Sequence, residues 1–272
     1  MKKSTIMISA IIILVIGFVV YASWPNDQKT ALEPVEEEIV LETPVVDDKE
    51  ENKVETKVEN EVKATTPTVV PKVIEKNNVS FIDYKVPFTS QAPTGNWDDE
   101  RQQDGCEEAS ALMAVYWAQG KTLNSTIALE KILGASDYAL KEHGEFRDIS
   151  VDDTVQWIFK EYFKFNNVVA KKGVTINDII SELEKGNVVV IPANGQKLGN
   201  PYFSPPGPER HMLLIRGYDK AKKQFITNDP GTKRGQAYRY NENVLYNAIL
   251  SYSTGSHEPV TTNSKDIIVV SK

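Results

Sequence analysis

Four apolar runs in the second half of the chain have the length of β-strands and are bounded by polar or turn-forming residues. They cover residues 188–192, 211–218, 224–229 and 266–270. Short runs of this kind, rich in β-branched and aromatic residues, are typical of strands in a buried sheet. The short polar connection at 219–223 predicts that the second and third runs pair as a hairpin. A further short strand is predicted at 85–88.

Helical spacing dominates the region before these strands. Within residues 106–119, Ala109, Leu112 and Tyr116 recur at intervals of three and four, and Gly120 supplies a C-terminal stop. Similar patterns predict helices at 126–133, 152–163 and 176–185. Helices followed by an antiparallel sheet indicate an α+β fold rather than a doubly wound one.

The first 25 residues predict a signal sequence or an N-terminal membrane anchor. A basic start precedes an apolar run at 6–20, which only Ser9 and Gly17 interrupt. Its length is intermediate between a secretory segment and a membrane span, and we favour an uncleaved anchor whose lysines hold the N-terminus in the cytoplasm. Cleavage after about Ala22 would instead give a secreted protein. Either outcome predicts an extracytoplasmic location.

Residues 26–78 predict a disordered acidic tether, and residues 79–272 predict one globular domain. The tether contains 14 acidic and 7 basic residues and almost no aromatic ones, so it cannot bury enough apolar surface to fold. The remainder contains three of the four tryptophans and suits a core of its own. Because that part is nearly neutral and has no basic stripe, we expect no nucleic-acid partner.

Cys106 is the only cysteine of the chain and stands where a loop turns into the first predicted helix. The positive end of a helix favours the thiolate, which is the nucleophilic form of the side chain. Three histidines are candidate bases. His143 and His257 lie in polar stretches that predict solvated loops, whereas His211 begins an apolar strand after a loop rich in Pro and Gly. The sequence therefore predicts that Cys106 and His211 act together.

The predicted hairpin supplies two candidates for a third residue that orients the imidazole. One register sets Asp229 opposite His211, and a register one residue tighter sets Asn228 there. Either side chain on Nδ1 would fix the tautomer and leave Nε2 to take the thiol proton. We favour Asp229 because its charge also stabilises the imidazolium. No paired His or Cys spacing predicts a metal site, and no cofactor is expected.

Four short motifs surround these residues in a fixed order along the chain. They are Val86-Pro87-Phe88-Thr89-Ser90-Gln91, Gly105-Cys106-Glu107-Glu108-Ala109-Ser110-Ala111-Leu112-Met113, His211-Met212-Leu213-Leu214-Ile215-Arg216-Gly217-Tyr218 and Asn228-Asp229-Pro230. Together they resemble cysteine peptidase family 39 and its C39-like relatives, which are papain-like peptidases. The resemblance covers about residues 79–272. It implies a papain-like α+β fold in which the nucleophile helix packs on an antiparallel sheet.

The resemblance also implies four catalytic roles. These are nucleophile for Cys106, general base for His211, orienting acid for Asp229 and side-chain donor to the oxyanion for Gln91. Because Gln91 lies far from Cys106 in the sequence, Gln102 and Gln103 are alternative donors. Many members of the family follow the nucleophile with Gly-Pro, whereas this chain has Glu107-Glu108. Two carboxylates at that place raise the thiol pKa, so activity is expected to depend strongly on the base.

An extracytoplasmic cysteine peptidase acting on peptides or proteins is the function that these observations favour. The loop at 191–210 is long enough to form a wall of the substrate cleft. Its Tyr202-Phe203 pair is predicted either to hold a peptide side chain or to pack beneath the loop. Two alternatives use the same residues. One is a thiol amidase acting on the cell wall, and the other is a catalytically inactive module that binds peptides.

Overall fold

The computed structural model describes residues 80–272, in which helices cover an antiparallel sheet of seven strands. The strands are β1 (Phe81–Asp83), β2 (Val168–Lys171), β3 (Val188–Ala193), β4 (His211–Asp219), β5 (Gln224–Asn228), β6 (Gln236–Asn241) and β7 (Ile267–Val270). The helices are α1 (Glu100–Gln103), α2 (Cys106–Ala118), α3 (Ser125–His143), α4 (Val151–Asp153), α5 (Ile176–Glu184), α6 (Gly195–Leu198) and α7 (Glu242–Ala248). Directly after α4 the chain continues as a π-helical segment, Thr154–Tyr162. The predicted α+β class and antiparallel sheet are confirmed.

The strand order makes β4 a central strand. Neighbouring strands follow the order β2-β7-β3-β4-β5-β6, and every pairing is antiparallel. β5 pairs along one edge of β4, while β3 and β1 share the other edge, with β3 opposite residues 211–215 and β1 opposite residues 217–219. His211, the first residue of β4, is therefore held on a well-supported strand.

Both faces of the central strands are buried, which explains their almost unbroken apolar sequence. On one face Val190 and Met212 belong to the core that includes α2, α3 and the π-helical segment. On the other face Ile191 and Leu213 pack in a second core with α5 and α7. Successive residues of a strand point to opposite faces, so neighbours in the sequence join different cores. Antiparallel sheets commonly leave one face to solvent, and here helices cover both.

Most helices and strands lie where the apolar pattern predicts them. The predicted helices at 106–119 and 176–185 are α2 and α5, and the four apolar runs are β3, β4, β5 and β7. The helix predicted at 126–133 extends to His143, where Gly144 ends it in a left-handed conformation. The helix predicted at 152–163 is α4 with its π-helical continuation.

The strand predicted at 85–88 is wrong. β1 lies earlier in the chain, and the carbonyl groups of Val86 and Pro87 accept hydrogen bonds from the Asn228 side chain instead of from a strand. Pro87 also lacks the N–H that a ladder needs. Five elements, β2, β6, α1, α6 and α7, have no counterpart among the predicted ones, and α6 lies within the stretch 191–210 that the sequence predicts as a loop. β6 is largely exposed and has few apolar residues, so its pattern resembles that of a loop.

Within residues 80–272, no helix combines the length and the apolar character needed to cross a membrane. The signal sequence or anchor predicted at 1–25 and the tether predicted at 26–78 lie outside the described residues. Both stay predictions.

Candidate active site

Cys106 is placed by a tight entry into α2. It is the first residue of that helix, and Gly105 before it has no room for a side chain, because a Cβ there would lie 2.4 Å from a main-chain carbonyl oxygen of α1. One turn further on, the Ser110 hydroxyl donates a hydrogen bond of 3.1 Å to the carbonyl oxygen of Met212. α2 thus packs across the start of β4, next to His211. The fold brings the first turn of α2 to the predicted base.

The thiol of Cys106 is buried and bonded to a carboxylate. Sγ donates to Oε2 of Glu107 at 3.1 Å. Burial raises the pKa of the thiol well above its ordinary value, the charge of Glu107 raises it further, and a hydrogen bond with the main chain of Met212 offsets part of the effect. The helix-start effect that favours a thiolate is therefore outweighed. Glu107, the residue after Cys106, raises the pKa of the thiol, as the sequence predicts.

Two adjacent carboxyl groups are buried in the first turn of α2. Oε1 of Glu107 accepts a hydrogen bond of 2.7 Å from the hydroxyl of Tyr252. Glu108 accepts one of 3.1 Å from the hydroxyl of Ser136, and its Oε2 has no hydrogen-bond partner among residues 80–272. Burial, followed by the charge of Glu107, raises the pKa of Glu108 well above its ordinary value. Two like charges so close together are unfavourable, so Glu108 is the group that stays protonated.

Asp229 binds Nε2 of His211, whereas the sequence predicts that it binds Nδ1. Nε2 of His211 lies 2.8 Å from Oδ1 of Asp229, and both side chains are buried. The prediction that the carboxylate binds Nδ1 and leaves Nε2 for the thiol is therefore wrong. Nδ1 is the nitrogen that Asp229 does not use. Phe203 packs edge-on against the ring, with 5.4 Å between the centroids, and limits its rotation.

Asp229 reaches His211 from beyond the end of β5 rather than from directly across the hairpin. The register pairs Leu214 with Asn228, after an irregularity between residues 215 and 217. If that register continued, Gly231 would face His211, so the predicted pairing with residue 229 or 228 is wrong. Gly231 leaves space for the imidazole, because a Cβ there would lie 3.0 Å from Cε1 of His211. This offset explains why the carboxylate approaches the far nitrogen of the ring.

Several groups converge on the carboxylate of Asp229. Oδ2 accepts hydrogen bonds from the hydroxyl of Tyr240 at 2.6 Å and from the amide of Asn200 at 3.4 Å. Oδ1 also accepts from the main-chain N–H of Gly231 at 3.0 Å. Burial alone would raise the pKa of Asp229, but the charge of His211 and these donors lower it below its ordinary value. Asp229 is therefore ionised and suited to stabilise an imidazolium.

Asn228, the other candidate for orienting the imidazole, forms hydrogen bonds with main-chain groups instead of with His211. Its Oδ1 accepts a hydrogen bond from the N–H of Ala237 at 3.2 Å. Its Nδ2 donates to the carbonyl groups of Val86 at 3.3 Å and Pro87 at 3.2 Å. Asn228 thereby fixes the segment that leads to Gln91.

Gln91 is the best placed of the three glutamines considered as oxyanion donors. Its Nε2 donates to the main-chain carbonyl of Gln103 at 2.5 Å, and its main-chain N–H donates to Pro230 at 2.9 Å. This leaves the second N–H of the amide for another acceptor. Gln103 also lines the cleft, but its side chain is exposed. Gln102 is buried and accepts a hydrogen bond from Thr94 at 3.4 Å.

Cys106, His211 and Gln91 line one cleft of about 690 Å³, which is the size of a ligand site. The loop after α6 forms one wall with Tyr202 and Phe203, which confirms the wall predicted for residues 191–210. Charged residues also line the cleft: Asp104, Asp148, Glu209, Arg210, Lys233 and Arg234.

The two other histidines make different contacts. His257 lines the same cleft, and its Nδ1 lies 3.0 Å from the guanidinium of Arg210. His143 ends α3 instead of lying in a loop. It stacks on Trp157 with 4.2 Å between ring centroids and lies 2.6 Å from the carboxylate of Glu161.

Tyr252, Tyr240 and Asn200 support the site but have no signature in the sequence. Tyr252 binds Glu107 across a separation of 145 residues, and the chain contains 11 tyrosines. Nothing in the local pattern distinguishes these two tyrosines from the others. Only the folded chain shows which polar side chains reach the buried carboxylates.

Two comparisons with known proteins found matches to this chain. A family model described as the Peptidase_C39 like family matches residues 84–256, a segment that contains Gln91, Cys106, His211 and Asp229. Among solved structures, a protein from Bacillus anthracis assigned as a C39-like peptidase has 17% sequence identity and a TM-score of 0.46, over 71% of this chain and 98% of that chain. A search of curated proteins found no match.

Proposed function

This chain belongs to the Peptidase_C39 like family, and we propose that it is a cysteine peptidase with Cys106 as nucleophile and His211 as general base. One observation carries the proposal. A thiol and an imidazole bonded to a carboxylate, from residues far apart in the sequence, line the same cleft. Family membership supports a peptide or a protein as the substrate.

The proposed reaction begins when the proton of the Cys106 thiol moves to Nδ1 of His211. The thiolate attacks the carbonyl carbon of a peptide bond, and His211 then gives the proton to the leaving amine. Water, activated by the same imidazole, releases the acyl group from sulfur. Asp229 holds the ring through Nε2 and stabilises the imidazolium while the proton is on it.

Two donors are available for the oxyanion in this mechanism. The main-chain N–H of Cys106 lies in the first turn of α2, where N–H groups have no acceptor within the helix. The second is the amide of Gln91, which the carbonyl of Gln103 holds in the cleft. Donors fixed in advance stabilise the charge that develops in the transition state.

We also propose that the domain acts outside the cytoplasm. Its N-terminal segment, residues 1–25, would serve as the signal or membrane anchor, and residues 26–78 would serve as the tether. Support comes from the apolar run and the acidic composition of the sequence. Fractionation of cells, followed by detection of the intact N-terminus in the membrane, tests the anchor against a cleaved and secreted form.

Replacement of Gln91 by alanine is expected to lower kcat for peptide hydrolysis by about 10²- to 10³-fold, because one oxyanion donor is lost. Alkylation of Cys106 should change little, since no oxyanion forms in that reaction. Steady-state kinetics and timed alkylation of the same preparations measure the two effects. The matched variant Gln103→Ala retains the main-chain carbonyl that holds Gln91, so its loss of kcat should be much smaller. An equal loss in both variants would contradict the assignment of Gln91.

The function is tested by comparing the intact protein with its Cys106→Ala variant on two substrates. In a peptide library derived from a proteome, new termini should appear with the intact protein and be absent with the variant. In purified cell wall, release of soluble peptides without cleavage of the library would assign the amidase instead. Reversible peptide binding without either reaction would assign the binding module.

One observation favours the inactive binding module as the second candidate. The thiol is bonded to a buried carboxylate that raises its pKa. A thiol held in this way is a poor nucleophile. An active enzyme therefore needs a way to offset the effect of this carboxylate on the pKa of the Cys106 thiol.

A further inference from the structure

Glu107 is in direct contact with the sulfur of Cys106. Oε2 of Glu107 lies 3.1 Å from Sγ, Oε1 accepts the hydroxyl of Tyr252 at 2.7 Å, and the residue is 1% exposed. Within residues 80–272, no lysine, arginine or histidine forms an ion pair with this carboxylate. A buried carboxylate thus touches the atom that must become negatively charged.

The groups around Glu107 do not supply a compensating positive charge. Glu108, the next residue in α2, stays protonated, and the negative charge of Asp148, from the loop after α3, raises the pKa of Glu107. Asp148 is partly balanced by Arg210, 3.8 Å away. From the segment after α7, Tyr252 contributes a neutral hydroxyl, which also lies 3.5 Å from the main-chain carbonyl of His211.

Burial is the main cause that raises the pKa of Glu107 to about 7, against the lowering effect of hydrogen bonds from Cys106 and Tyr252. This carboxyl group therefore changes its charge near neutral pH. The contact between Glu107 and the sulfur of Cys106 therefore exists in two forms, one with the carboxyl group ionised and one with it protonated.

In the ionised form the thiol donates to Glu107, and removing the thiol proton would leave two negative charges at the 3.1 Å contact. In the protonated form the carboxyl O–H donates to sulfur, and it stabilises the thiolate instead of repelling it. The same two side chains, in the same positions, therefore either suppress or support the nucleophile.

We propose that Glu107 is a further catalytic residue, which must be protonated before Cys106 reacts as a thiolate and which then donates a hydrogen bond to the sulfur. The inference rests on the proposed nucleophile and base. The thiol proton passes to Nδ1 of His211 and from there to the leaving amine, while the proton of Glu107 stays on its carboxyl group. Glu107 thus begins and ends the cycle in the same state.

The pH dependence of the thiol tests this role. The reactive form requires protonated Glu107, so its population falls as the pH rises through about 7. The rate of Cys106 alkylation by iodoacetamide is measured by mass spectrometry on the intact protein between pH 5 and 9. We expect the wild-type rate to decline above neutrality, before free ionisation of the thiol restores it at alkaline pH.

Glu107→Gln removes the charge but keeps an N–H donor beside the sulfur. This variant should lack the decline near neutral pH and react about tenfold faster than wild type at pH 8, one unit above the pKa of about 7. At pH 6 the two rates should agree within about twofold. A variant that follows the wild-type profile, or is slower at every pH, would overturn the proposal.

Two further variants separate this role from a structural one. Glu108→Gln changes the neighbouring carboxyl group, which binds Ser136 instead of the sulfur, and it should keep the decline at the wild-type pH. Tyr252→Phe removes a donor that lowers the pKa of Glu107, so the decline should move to higher pH. If Glu107→Gln does not fold, an unchanged pH of decline in Tyr252→Phe would overturn the proposal.

The experiment also separates this inference from the proposed function. Alkylation reports the state of the thiol and needs no peptide substrate. If the variants shift the profile as expected but no peptide is cleaved, the role of Glu107 at the thiol stands and the peptidase assignment fails. If peptides are cleaved but the profiles do not shift, the peptidase assignment stands and the role of Glu107 fails.

Discussion

His211→Ala is expected to slow both peptide hydrolysis and the neutral-pH alkylation of Cys106 by about 10²- to 10⁴-fold, the range associated with loss of a general base. The reason lies in the resting thiol. Burial and the neighbouring carboxylate raise the pKa of Cys106, so few molecules would carry a thiolate without a base to receive the proton. kcat/KM on a cleaved peptide and the alkylation rate constant measure the two losses.

His143→Ala is the matched control for this experiment. It removes an imidazole that stacks on Trp157 and is not among the residues lining the cleft. Its alkylation rate should equal that of the wild type. If His211→Ala also labels Cys106 at the wild-type rate, His211 is not the base, and the inactive binding module becomes the better assignment.

Asp229→Ala is expected to lower the free energy of unfolding by about 3 to 5 kcal/mol, since each buried donor left without an acceptor costs about 1 to 3 kcal/mol. The side chain is fully buried and holds His211, Tyr240, Asn200 and the N–H of Gly231. Removing it leaves these donors without an acceptor. Chemical denaturation at neutral pH measures the loss, and the freed imidazole should also lower the alkylation rate of Cys106.

The pH dependence of this stabilisation has a definite sign. The folded state lowers the pKa of Asp229, so the ionised carboxylate stabilises the fold at pH values above its ordinary pKa. That contribution is lost as the pH falls through the lower folded value. The difference in unfolding free energy between the wild type and Asp229→Asn should therefore be largest at neutral pH and shrink in acid.

Tyr240→Phe is the control for the stability experiment. It removes one donor to Asp229 but keeps the ring and the carboxylate, so we expect a loss of about 1 kcal/mol. A loss in Asp229→Ala no larger than that of Tyr240→Phe would show that the carboxylate does not hold this site together.

The apolar pattern predicted most of the fold because helix and strand periodicities are local. α2, α5 and the central strands follow directly from the spacing of buried side chains. The wrong or missing predictions concern segments whose structure depends on hydrogen-bond partners elsewhere in the chain. The segment around Val86 looks like a strand, but the side chain of Asn228 binds its carbonyl groups. β6 looks like a loop, and only its pairing with β5 makes it a strand.

The sequence predicted that Cys106 and His211 come together, and both line one cleft, but it did not predict the detailed geometry of the site. Asp229 does bind His211, yet neither the hairpin register nor the ring nitrogen is the predicted one. An irregularity near residue 216 shifts the strands relative to each other. A shift of this kind depends on contacts along the whole of β4, which no short motif contains.

The sequence alone determined that one thiol lies at a helix start, that one histidine begins a buried strand, and that two carboxyl groups follow the thiol, because each of these is a property of neighbouring residues. Only the tertiary structure decided which groups touch. It set Nε2 rather than Nδ1 of His211 against Asp229, and it joined Glu107 to both Cys106 and Tyr252. These contacts, and the charge states that follow from burial, depend on packing between distant segments, so only the folded chain defines them.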